Sequence, residues 1–127
     1  MGYFSYICFV DKKRQLFFYK DYFREFYQAQ NIKVKKKILW TLEIVETLDR
    51  VPEVYLKHLE NTNGLYEIRV QVGSDIFRIF CFFEENNLVI IVHGFHKKTQ
   101  KTPVGELARA ESIKKEYYDR KRFDKSK

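Results

Sequence analysis

A chain of 127 residues, 45% hydrophobic and 17% aromatic, carries enough apolar surface for one folded domain, which excludes a chain disordered by composition. Its formal net charge of +7 points to a polyanionic partner, either nucleic acid or an acidic protein. The apolar start is short and is interrupted by Asp11, Lys12, Lys13 and Arg14, so neither a signal peptide nor a membrane span is expected, and a cytoplasmic location with no membrane partner follows.

Residues 4–10 (F-S-Y-I-C-F-V) read as a strand or as an extension ahead of the domain, so residues 1–13 are set apart from a domain over 14–120. Gln15 to Tyr19 is rich in strand formers and is the first strand. Asp21 is a plausible N-cap. Tyr22, Phe23, Phe26 and Tyr27 then recur at helical spacing to about Gln30. Asn31 breaks or caps, and Ile38, Leu39, Leu42, Val45 and Leu48 mark a second helix over Ile32 to Leu48. Its early turns carry Lys33, Lys35, Lys36 and Lys37, which oppose the helix dipole. Such lysines form a solvated face or a binding face. Pro52 closes this helical section, and a connecting stretch with Leu56, Lys57, His58 and Leu59 follows.

Three strands come next: Leu65–Val72, Ile76–Glu84 and Leu88–His96, joined by Gly73-Ser74-Asp75 and Glu85-Asn86-Asn87. Connections this short make an antiparallel meander. A last helix is expected from Pro103, with Thr102 as N-cap, fading after Tyr118 and leaving a basic, mobile tail over 121–127. The class is therefore α+β, in the order β-α-α-β-β-β-α. One helical layer covers one face of the sheet, giving two layers with the other face open.

The positive charge is concentrated late. Residues 93–127 hold 11 Lys and Arg against 5 Asp and Glu, leaving 13 against 12 for residues 1–92. Strand alternation, with the register that keeps polar groups out of the core, puts Glu67, Arg69, Arg78, His93, Phe95 and Lys97 on the open face. Cations there neutralise phosphates, and an aromatic ring stacks an unpaired base, which is the chemistry of RNA binding. Cys8 and Cys81 sit in apolar runs and read as free buried thiols rather than a disulfide. No Cys/His spacing resembles a zinc site, and no carboxylate cluster suits two metals, so neither metal nor cofactor is expected.

The segment Gly64–Pro103 contains G-L-Y-E-I-R, then an R-I strand, then H-G-F-H-K-K-T-Q-K-T-P leading into the last helix. With V-P-E-V-Y-L-K-H-L-E upstream, it resembles the phage-derived, HigB-like branch of the RelE/ParE toxin superfamily over roughly Gln15 to Tyr118. The resemblance implies a RelE-like fold, a cognate antitoxin as partner, and metal-independent cleavage of mRNA, often on the ribosome. Cleavage that uses the 2′-hydroxyl as nucleophile needs a proton acceptor, cations on the phosphate and a donor for the leaving oxygen. In that scheme Arg69 and Arg78 clamp the scissile phosphate, Lys97 and Lys98 line its rim, and Phe95 stacks on a base. Lys57, His58, Glu67 and His93 are the candidates for base and acid. The superfamily's reliance on Lys and Arg favours Lys57, whereas a histidine has the better-matched pKa. Two other functions stay open: a ParE-like inhibitor of DNA gyrase, and a nucleic-acid-binding module without turnover.

Overall fold

The computed structural model describes residues 12–85 and 87–125; Cys8 and the proposed strand or extension at 4–10 lie outside them. Five strands and three helices follow in the order β1 (Gln15–Phe18), α1 (Tyr22–Gln28), α2 (Ile32–Thr47), β2 (Leu56–His58), β3 (Leu65–Val72), β4 (Asp75–Glu84), β5 (Leu88–Lys97) and α3 (Val104–Lys125). They form one sheet in the order β1-β5-β4-β3-β2, with β1 parallel to β5 and the other pairs antiparallel. The α1–α2 crossover carries the chain from one edge of the sheet to the other, where β2 pairs Lys57 with Glu67. The stretch expected only to connect is thus a fifth strand. It satisfies backbone groups that β3 would otherwise leave bare along half its length.

Local chemistry sets the element ends. Asn31 caps α2, its side chain accepting from the Val34 amide at 2.9 Å. At the far end, the Arg14 guanidinium donates to the carbonyls of Val45, Leu48 and Asp49 at 2.7–3.0 Å, satisfying acceptors that a helix C-terminus leaves over. Asp21 makes no capping bond and instead pairs with Arg24. The β3–β4 turn takes two residues, Gly73 and Ser74, and Gly73 supplies the positive φ of 60° that it requires.

The sheet is buried on both faces, which corrects the expectation of an open side. Phe23, Val34, Ile38, Leu42 and Val45 of α1 and α2 pack on Ile68, Val70, Phe77, Ile79, Cys81, Val89 and Ile91. On the opposite face Ala110 and Ile113 of α3 pack on Leu65, Phe80, Phe82, Ile90, Val92 and Phe95, with Tyr19 completing the cluster. The physical reason lies in the strands themselves. Phe80 and Phe82 share their face with Arg78, and a bare patch of that size would be an interaction or aggregation surface. One residue of β4, Phe80 between Ile79 and Cys81, opposes two of β5, Val92 and His93 between Ile91 and Gly94. The extra residue lets Val92 join Phe95 on the α3 face, where strict alternation would separate them.

The last helix does not fade after Tyr118. It runs to Lys125, and the Lys121 ammonium pairs with the buried Glu84, which also accepts from the Tyr117 hydroxyl. It starts at Val104, so Thr102 lies one residue ahead of the capping position and has a different task.

Candidate functional site

The helix α3 covers only part of its sheet face. The uncovered end, where β3, β4 and β5 run toward the Gly73 turn and the loop after Lys97, is where the cations gather. Arg69 and Arg78 are direct partners in the β3–β4 ladder, Arg78 is opposite Phe95, and Lys57 is opposite Glu67. Lys97 lies two residues beyond Phe95 and shares its face. Lys57, Glu67, Arg69, Arg78 and Lys97 therefore form one group.

Glu67 is its buried anchor, 3% exposed. Its Oε1 lies 3.4 Å from Arg69 Nε and 3.5 Å from Arg78 Nε. Neither contact is a hydrogen bond, and both Nε atoms are buried without an acceptor. The Thr102 hydroxyl reaches the other carboxylate oxygen at 3.5 Å. Arg78 is nearly enclosed and donates from one terminal nitrogen to the Phe77 carbonyl at 3.2 Å, whereas the Arg69 side chain is 28% exposed. One carboxylate thus serves two guanidinium groups, with Lys57 and Lys97 adding charge nearby. Such a set is short of acceptors and favours an incoming anion.

Burial pushes the Arg78 guanidinium below its ordinary range; Glu67 opposes that shift and Arg69 adds to it. Lys97 is likewise held below the usual lysine range. Burial is the main cause and the Arg78 charge is next, with Glu67 pulling the other way and Arg69 and Lys57 reinforcing the shift. A lysine displaced in this direction gives up its proton more readily at neutral pH.

These side chains border a cleft of about 880 Å3, walled by Arg69, Arg78, Lys97, Lys98 and the Ser74–Ile76 turn. His96 and Asp75 pair at 3.4 Å on its rim. Three residues singled out from sequence fall elsewhere. His58 is opposite Tyr66, with ring centroids 5.0 Å apart, so it belongs to the other face of the sheet. His93 is buried under α3, 1% exposed, with Nε2 3.0 Å from Glu106. Burial is the main cause of a lowered pKa, which Glu106 opposes and the Arg109 charge reinforces. Phe95 is buried and stacks on Phe80 at 5.5 Å, so its ring faces are used in the core. The structure adds Thr102 and the Asp75–His96 pair. The sequence offers Thr102 only as an N-cap and within the K-K-T-Q-K-T-P run, since its distance from Glu67 in sequence hides the contact.

Among the described residues no three His, Cys, Asp or Glu side chains gather to hold a metal, and no helix is long and apolar enough to cross a membrane. The arrangement suits an anion.

Residues 25–115 match the family model described as "phage derived protein Gp49-like (DUF891)". Among solved structures the fold is similar to the crystal structure of an archaeal RelE–RelB complex from Pyrococcus horikoshii OT3. The two share 18% identity at a TM-score of 0.50, over 66% of this chain and 94% of that one. No curated protein matches the chain.

Proposed function

The chain belongs to the phage-derived Gp49-like family, and from that membership we propose that it is the toxin of a toxin–antitoxin pair, of the HigB-like kind, which cuts mRNA. One observation carries the reading. At the uncovered end of a RelE-like sheet, Arg69 and Arg78 share a single buried carboxylate beside a lysine of lowered pKa.

The reaction is a transfer within the RNA strand. The 2′-oxygen bonds to phosphorus and the bond from phosphorus to the 5′-oxygen breaks, leaving a cyclic 2′,3′-phosphate and a 5′-hydroxyl. Arg69 and Arg78 hold the phosphate oxygens as negative charge builds, the role planar guanidinium groups fill best. Glu67 aims both guanidinium groups and offsets their repulsion. Lys97 takes the proton of the 2′-hydroxyl, which its lowered pKa favours. Lys57, across the ladder from Glu67, returns a proton to the leaving 5′-oxygen, and Lys98 holds the RNA backbone at the rim. No step requires a metal. His58 and His93 take no part, because one faces away and the other is sealed under α3.

A cognate antitoxin of acidic or amphipathic character is the fitting protein partner for this basic surface. The test is to add the purified protein to translating ribosomes and to free RNA, in parallel with Arg69→Ala, and map the ends. New ends carrying cyclic phosphate with the native protein alone support the reading. Growth arrest without any RNA cleavage overturns it and points to a protein target.

A further inference from the structure

A second depression of about 380 Å3 opens on the β3 side of the two arginines, bounded by Lys37, Val54, Tyr55 and Gln71 together with Arg69 and Arg78 themselves. The main cleft shares both arginines, so the two hollows adjoin at the phosphate site. A backbone hydrogen bond also ties their walls together, because the Arg69 amide donates to the Tyr55 carbonyl at 2.8 Å.

The wall of this depression is a basic and aromatic stripe on α2. Lys33, Lys36, Lys37 and Trp40 lie on one side of the helix by their spacing. Lys37 Nζ sits 4.3 Å from the centre of the Trp40 ring, Trp40 is 43% exposed, and its ring meets Tyr55 edge-on at 5.6 Å. The first turn of α2 carries no acidic residue, and among the described residues none of the three lysines has a carboxylate within ion-pair reach. Cations at a helix N-terminus work against the dipole, so the stripe costs the fold stability that a neutral or acidic face would keep. An anionic ligand offsets that cost.

We propose that this depression is a second nucleotide subsite: single-stranded RNA passes over Arg69 and Arg78 into it, its phosphates on Lys33, Lys36 and Lys37 and a base against Trp40 and Tyr55. Alternating cations and exposed rings suit a flexible strand with splayed bases, whereas a duplex offers no free base to stack. The inference rests on the RNA-cleaving reading of the neighbouring cleft and extends it to substrate length.

The test uses the whole protein and 2′-O-methyl oligoribonucleotides, which lack the attacking hydroxyl and are not cut. A trinucleotide spans the arginine site alone, and a nonanucleotide reaches both hollows. The native protein is expected to bind the longer strand about tenfold more tightly or better, as base stacking of ordinary strength gives. In the triple variant Lys33→Gln, Lys36→Gln, Lys37→Gln, and separately in Trp40→Ala, that length-dependent gain collapses. The triple variant also loses about two units of the salt-dependence slope, since each phosphate contact on a single strand contributes about 0.7. Relieving the dipole conflict stabilises α2, so a raised melting temperature accompanies the lost affinity and excludes unfolding as its cause. A full length-dependent gain in both variants overturns the subsite and leaves the cleavage reading intact. If the native protein binds neither strand, the cleavage reading itself fails. Retained RNA affinity together with lost affinity for an acidic polypeptide such as polyglutamate would make the stripe a protein-docking face instead.

Discussion

Arg69 and Arg78 face each other across the β3–β4 ladder, with Glu67 Oε1 3.4 and 3.5 Å from their Nε atoms. Like charges directly opposite on a sheet repel, so this placement stands only because a carboxylate sits between them. Glu67→Gln should therefore lower stability by about 1–3 kcal/mol, the range for leaving buried charge without its partner after screening at the half-open Arg69. Arg69→Ala should reduce RNA cleavage by on the order of a hundredfold or more while the fold survives. Thermal melts beside single-turnover cleavage separate the two effects. Full activity in Arg69→Ala would remove the phosphate clamp.

Lys97 gives a pH signature. Its pKa in the folded protein lies below the ordinary lysine value, so between the two values the unfolded chain binds more protons and stability rises with pH. Lys97→Met should thus melt higher than the native protein near neutral pH, with the advantage fading as pH rises past the ordinary lysine range. Cleavage by the native protein should climb with pH along a limb below that range, and Lys97→Arg should displace or abolish the limb. An identical pH–rate profile in Lys97→Arg would exclude it as the proton acceptor.

His93 belongs to stability rather than chemistry. Burial lowers its pKa, so its contribution is complete above the ordinary histidine value and is lost as pH falls below it. The native protein should lose melting temperature as pH falls below the ordinary histidine value, and His93→Phe should flatten that slope. Cleavage by the variant at neutral pH should stay near native. A drop of a hundredfold without loss of fold would return His93 to the active site.

Gly94 leaves no room for a side chain. A Cβ built there would stand 2.6 Å from two carbons of the Phe26 ring and 2.9 Å from a third. Because the third is the ring's own attachment carbon, Phe26 cannot simply swing its tip aside, and Gly94→Ala should cost about 1–3 kcal/mol. Adding Phe26→Leu should recover part of it. Chemical denaturation of the single and double variants measures both, and strict additivity would contradict the packing contact.

Truncation after Arg120 should not be silent. It removes Lys121, the cation paired with buried Glu84, and leaves the Tyr117 hydroxyl as that carboxylate's remaining partner. A fall of several degrees in melting temperature is expected, with Lys121→Met reproducing most of it. A truncated chain with native stability would show that the last turn of α3 contributes nothing.

Much of the fold was written in local pattern. The apolar spacing from Ile38 to Leu48, the Asn31 cap and the two-residue Gly73 turn need only neighbours a few positions away, and strand alternation with the register set by that short turn brings Glu67, Arg69 and Arg78 to one face. Tertiary structure decided what covers that face. The short apolar set on α3 meets Phe80 and Phe82 only after the chain has folded back over the sheet, and that closure buries His93 and Phe95 while sparing the arginine end. The extra β5 residue, which breaks alternation, and the strand at Leu56–His58, which turns His58 away, are set by ladder partners far off in sequence. Long-range pairing, not propensity, therefore selected which of the polar side chains legible in the sequence reach solvent together, because burial is a property of both surfaces in contact.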